Sequence, residues 1–136
     1  MGMNGLSYNP IHCLRCNREV PPERLNLDRR LADAIADWRY TYDAIGALEL
    51  ASGIYESWAR AQLLDADSPP NVEGREIAGT LNQFCRCYFW FFQPDSDDGF
   101  VPRSTCPVCG DPLALYSEGI FSQLLCERDR LVLVGE

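Results

Sequence analysis

The sequence predicts an α+β fold, a block of three helices packed on a small antiparallel sheet with a zinc-ribbon-like knuckle. Three observations predict it. Apolar residues recur at steps of three or four between residues 27 and 64. At Cys85 the character switches to aromatic, strand-forming residues. Two Cys-x-x-Cys pairs bracket the helical block, Cys13 with Cys16 before it and Cys106 with Cys109 after it. The 136 residues suit a single domain, with a helical part over about 22–85, a sheet over about 86–136 and an N-terminal knuckle at 12–20. With 46% hydrophobic and 24% charged residues, the chain is neither disordered nor fibrous.

Leu27, Leu31, Ile35, Trp38, Tyr42 and Ile45 form one apolar stripe, which predicts a helix over 28–51. Asn26 or Asp28 can cap its start, because a short side-chain oxygen accepts from the free amides of a first turn. Ser52-Gly53 offers its stop or a kink. Ile54, Trp58, Ala61 and Leu64 continue the spacing into a second helix ending near Asp65, and the stripe puts Trp38 and Trp58 in the core. Glu56 and Arg60, four residues apart, predict an exposed ion pair. Pro69 and Pro70 break the chain, since proline cannot donate within a helix. Asn71 is then expected to cap a third helix with Val72, Ile77, Leu81 and Phe84 inward. Gly74 and Gly79 weaken that helix by about 1 kcal/mol each relative to Ala if they are interior.

The aromatic run 87–92 alternates poorly, which predicts a strand covered on both faces. Residues 93–105 read as an acidic solvated loop, whose Asp95, Asp97 and Asp98 lack the ligand spacing of a calcium loop. Residues 113–116 and 120–126 predict a hairpin around Ser117-Glu118-Gly119, with a last strand over 131–134.

The cysteines carry the chemistry. There are seven, an odd count, and no basic segment followed by an apolar one opens the chain. That combination predicts a reducing, cytoplasmic setting, in which paired cysteines hold metal. In Cys-x-x-Cys spacing both sulfurs can reach one ion at about 2.3 Å. Cys106-Pro107-Val108-Cys109-Gly110 is the more specific pair, because Pro107 stiffens the turn and Gly110 can take a left-handed conformation. A thioredoxin-type redox pair should follow a strand and open a helix, and neither pair does so. Joining Cys13, Cys16, Cys106 and Cys109 gives four thiolates, the expected ligands of one structural Zn²⁺. The local alternative is Cys106, Cys109, Cys126 and Asp129, since Cys126-Glu127-Arg128-Asp129 copies the pair spacing with an uncommon fourth ligand. His12, adjacent to Cys13, is expected to be a neighbour and not a ligand. Cys85 and Cys87 are expected to behave as small apolar residues.

A single histidine beside an expected ligand leaves no nucleophile–base system, and four thiolates leave no open position on the metal for water. No catalytic residue is therefore assigned. All 12 basic residues are Arg, against 20 acidic ones, for a net charge of −8. Residues 1–39 carry a net +1, 40–84 carry −5 and 85–136 carry −4. So acidic a chain is a poor coat for nucleic acid, and its expected partner is a protein with a basic surface. Any phosphate contact would fall to Arg15, Arg18, Arg24, Arg29 and Arg30. No apolar run reaches the roughly 20 residues of a membrane span.

The order of these motifs is similar to that of a known family. Cys13 and Cys16 are followed by Val20-Pro21-Pro22, then Trp38 and Tyr42, Ser52-Gly53 with Glu56, and Gly74-Arg75. Tyr88-Phe89-Trp90, the Cys106–Gly110 motif, and Cys126 with Arg130-Leu131-Val132 complete it. Over most of residues 12–134 this order resembles the bacterial zinc-ribbon-containing proteins of unknown function, to which nucleic-acid binding is ascribed by analogy with other ribbons. The resemblance implies a zinc ribbon and offers nucleic-acid binding through the N-terminal Arg cluster as the alternative function. It implies no reaction. The family pattern carries a second cysteine where this chain has Asp129.

Overall fold

The computed structural model describes residues 1–94, 101 and 103–135, so Asp95, Asp97 and Asp98 of the acidic loop lie outside the described residues. Helix α1 runs over Arg29–Ala51. It starts where the stripe predicts, behind Asp28, whose carboxylate accepts from the Leu31 amide at 2.8 Å. Ile35, Trp38, Tyr42 and Ile45 of the stripe are buried. At Gly53 the chain takes a φ of +66°, a left-handed turn that only glycine adopts cheaply, and a 3₁₀ turn over Gly53–Tyr55 leads into α2, Glu56–Leu64.

That turn resets the helical phase. Helix α2 packs against α1 through Ala59 and Leu63, while Ile54 is 86% exposed and Trp58 52% exposed. The expected core position of Trp58 is thus corrected, because a stripe cannot be extended through a left-handed residue. Arg60 reaches back to the buried carboxylate of Glu49 at 2.8 Å, and Glu56 accepts from the Gly53 amide at 3.1 Å.

Helix α3, Pro69–Leu81, begins behind Ser68 with proline in its first turn, where no amide is required. Asn71 is not its cap. Fully buried, Asn71 donates its side-chain amide to the carbonyls of Leu63 at 2.9 Å and Asp65 at 2.8 Å, satisfying the end of α2. Phe84, expected inward, lies beyond the end of α3 and is exposed.

The sheet has six strands: β1 (Gly2–Met3), β2 (Ile11–His12), β3 (Tyr88–Trp90), β4 (Ala114–Tyr116), β5 (Gln123–Cys126) and β6 (Leu131–Val134), in the order β2-β1-β3-β6-β5-β4. Strands β4, β5 and β6 are antiparallel as the sequence predicts, but β3 lies parallel to both β1 and β6. The sheet is therefore mixed and larger than the small antiparallel one expected, because two-residue strands leave no periodicity to read. Trp38, Tyr42 and Leu81 pack with Met3, Ile11, Phe89, Leu131 and Leu133 on its helical face. Leu14, Tyr88, Leu125 and Val132 form a smaller cluster with Trp90 and Tyr116. Strand β3 thus contributes to both clusters, as its unbroken aromatic run predicts. No helix among the described residues is long and apolar enough to cross a membrane.

Candidate metal centre

Strand pairing builds the site. In the antiparallel register of β5 and β6, Cys126 faces Leu131, so Cys126 and Asp129 stand at the two ends of one tight turn. Arg130 closes that turn at a φ of +52°. The Cys106 turn has the same form. Cys106 donates its amide to Asp111 O at 2.8 Å, Gly110 donates to Cys106 O at 2.9 Å, and Gly110 takes a φ of +78°. Backbone amides point at both leading sulfurs: Val108 N–H donates to Cys106 Sγ and Asp129 N–H to Cys126 Sγ, each at 3.4 Å.

The two turns face each other, and one ligand atom from each of Cys106, Cys109, Cys126 and Asp129 lies within 4.8 Å of all the others. Their spacing suits one tetrahedral ion. Bonds of about 2.3 Å to sulfur and about 2.0 Å to oxygen imply roughly 3.8 Å between sulfurs and roughly 3.5 Å from sulfur to oxygen. Cys109 Sγ lies 3.7 Å from Cys126 Sγ, and Asp129 Oδ2 lies 3.4 Å from Cys106 Sγ and 3.6 Å from Cys126 Sγ. Three thiols and a carboxylate are a donor set that zinc accepts.

The protein groups by themselves hold protons on sulfur. Burial pushes the Cys106 and Cys126 thiols up, and the bond to Asp129 does the same for Cys109. Asp129, accepting first from Cys109 and then from the other two thiols, is held below the usual carboxylate range. One of the two residues between Cys126 and Asp129 is tied down as well: Glu127 accepts from Arg86 at 2.8 Å, Arg130 at 2.6 Å and the Tyr88 hydroxyl at 2.8 Å.

Cys13 and Cys16 are not brought to this centre. They sit on a turn after β2, where the Leu14 carbonyl accepts from Gln123 Nε2 at 3.1 Å and the Arg15 carbonyl from the Ile120 amide at 3.1 Å. Those contacts hold the turn at the start of β5, whereas Cys126 ends that strand. Among the described residues, the ligand atoms that come together are those of the local set, Cys106, Cys109, Cys126 and Asp129. His12 keeps its ring within its own turn, with Nε2 2.8 Å from Ser7 Oγ and from Asn9 O. In the Cys13 turn, the amides of Cys16 and Arg15 hold the Cys13 thiol below its ordinary value. Cys87 is fully buried.

No protein-family model, curated protein or solved structure matches the chain. The likeness to the zinc-ribbon-containing family rests on the order of motifs, and the structure adds one candidate metal group. The sequence sign of that group is the repeated i, i+3 spacing of Cys126 and Asp129. Gly110, which closes the Cys106 turn, is legible as a left-handed residue, whereas Arg130, which closes the other, carries no sign of its own, because arginine seldom adopts positive φ.

Proposed function

We propose that the chain is a non-catalytic module stabilised by one structural Zn²⁺ on Cys106, Cys109, Cys126 and Asp129, and that it binds a protein partner with a basic surface. The match between the ligand spacing and a tetrahedral ion carries the reading. Four protein ligands leave no position for water or substrate, which suits a structural ion. Bound there, zinc would fasten the Cys106–Asp111 turn to the β5–β6 turn and supply no reaction. Thiol ligands also suit a reducing compartment such as the cytoplasm.

The partner class follows from charge and from one corner of the molecule. Leu50, Ile54, Tyr55 and Trp58 are exposed together where α1 gives way to α2, within the segment that carries the −5 net charge. Exposed aromatic side chains supply contact area, and surrounding carboxylates speed the approach of a basic protein. Such a module would act as an adaptor, an inhibitor or an immunity-type partner.

The test has two readouts. Elemental analysis of the purified chain is expected to find zinc, and Cys109→Ser is expected to lose it and melt at lower temperature. A basic protein captured by the wild type is expected to be lost by Ile54→Ser with Trp58→Ala. Single-stranded oligonucleotide binding at about 0.15 M salt, weakened by Arg29→Ala with Arg30→Ala, would instead establish nucleic-acid recognition.

A further inference from the structure

Three turns of this chain share one construction. In the Cys13 turn, Cys13 donates its amide to Arg18 O at 2.9 Å, Asn17 donates to Cys13 O at 2.8 Å, and Asn17 takes a φ of +54°. His12 and Glu19 pair across its base, as Thr105 and Pro112 do below the Cys106 turn and Leu125 and Val132 below the Cys126 turn. The Cys106 and Cys126 turns meet and complete a four-ligand group. The third turn has the same backbone and two thiols, with no counterpart among the described residues.

We propose that the Cys13–Cys16 turn is half of a second metal site, completed by the same turn of a second copy of this chain around one shared Zn²⁺. Cys16 is exposed and Cys13 half-buried, so both sulfurs can be reached from outside. No third Cys, His, Asp or Glu joins them among the described residues, and His12 is engaged within its own turn. Zinc on thiolates is four-coordinate, so two further ligands are needed, and a second copy can supply both as thiolates. A twofold axis through the ion supplies them, since each copy then offers the same pair to the other.

Charge and surface agree with that occupant. Four thiolates on one Zn²⁺, their protons released to solvent, carry a net −2. Arg15 and Arg18, both exposed, flank the sulfurs on each copy and outnumber Glu19. The turn lies in residues 1–39, which alone are not net negative, so two chains of −8 can approach there. Ile120, 69% exposed, is hydrogen-bonded through its amide to Arg15 and offers an apolar contact beside the ion. These contacts are too few to hold a dimer by themselves, which makes association depend on metal. The proposal stands apart from the Cys106 centre and from the partner assigned above.

Titrating the reduced full chain with Zn²⁺ while measuring its mass in solution decides the matter. The expected result is one ion per monomer, then dimers at about half an ion more per chain. With Co²⁺ the second phase is expected to add the absorption of a four-thiolate site. Cys13→Ser with Cys16→Ser is expected to stop at the first ion and stay monomeric with unchanged far-ultraviolet dichroism, and Cys16→His to restore the dimer. A wild type that is monomeric at zinc saturation, a second ion bound within one monomer, or a mass lower by two hydrogens from a Cys13–Cys16 disulfide would each overturn it. So would a double serine variant that dimerises with zinc as the wild type does.

Discussion

Asp129 distinguishes the candidate metal centre from an all-sulfur site. A carboxylate oxygen binds closer than sulfur, and Asp129 also accepts from the thiols around it, so its removal loses both a ligand and a hydrogen-bond acceptor. Asp129→Ala is expected to weaken zinc binding by more than the roughly 10–100-fold that follows loss of an outer-shell partner, measured by chelator competition. Asp129→Cys should keep zinc bound, because the turn holds that position at the spacing of a second cysteine. Cys87 poses a different test. Burial pushes its thiol up to about 12, so the folded chain keeps a proton that the unfolded chain gives up near 9. Above pH 9 the unfolded state then binds fewer protons, and stability falls as pH rises toward about 12. The urea midpoint is expected to drop across that window, and Cys87→Ala to remove part of the slope; an identical slope in the variant contradicts the assignment.

At the scale of elements, the two glycines of α3 separate propensity from packing. A Cβ at Gly74 would lie 2.6 Å from Phe89 Cε2 and 2.9 Å from Trp38 Cζ2, whereas one at Gly79 would meet nothing within 4 Å. Gly79→Ala is expected to stabilise the protein by up to about 1 kcal/mol. Gly74→Ala is expected to destabilise it by about 1–3 kcal/mol, since overpacking two fixed rings exceeds the gain in helix propensity. Urea unfolding of the two variants should move in opposite directions. The same contrast separates what is legible in the sequence from what is not. Helix α1 is legible because Asp28 caps it and its stripe runs unbroken to Ile45. The buried face of α2 is not, since the left-handed Gly53 discards the phase that α1 established. Strands β1 and β2 escape notice because two residues cannot show an alternation. The metal group is half legible: the spacing of Cys126 and Asp129 marks them as candidates. Choosing them over Cys13 and Cys16 requires knowing that the Cys13 turn docks at the start of β5, a contact between distant residues that no local pattern encodes.

For the molecule as a whole, the arrangement of strands decides how far the loss of zinc would spread. Strand β6 lies between β3 and β5, and its Leu131 and Leu133 belong to the same core as Trp38 and Tyr42 of α1. Cys106 and Cys126, two of the candidate ligands, are in that core too. Freeing the two candidate-ligand turns would therefore loosen β5 and β6 and uncover one edge of β3, against which α3 packs. A structural zinc contributes apparent stability of order 10–16 kcal/mol at neutral pH, against about 5–15 kcal/mol for a typical domain. Chelation is thus expected to lower a single unfolding transition, followed identically by far-ultraviolet dichroism and by near-ultraviolet signals dominated by the buried tryptophan. Two separated transitions, with the helices melting at an unchanged temperature, would mean that strands β4–β6 with the Cys106 turn fold as a unit of their own. The shared core argues against that outcome, because Leu131 cannot leave Phe89, its partner across β6 and β3, without exposing the ring that also meets Trp38 edge-on at 5.9 Å.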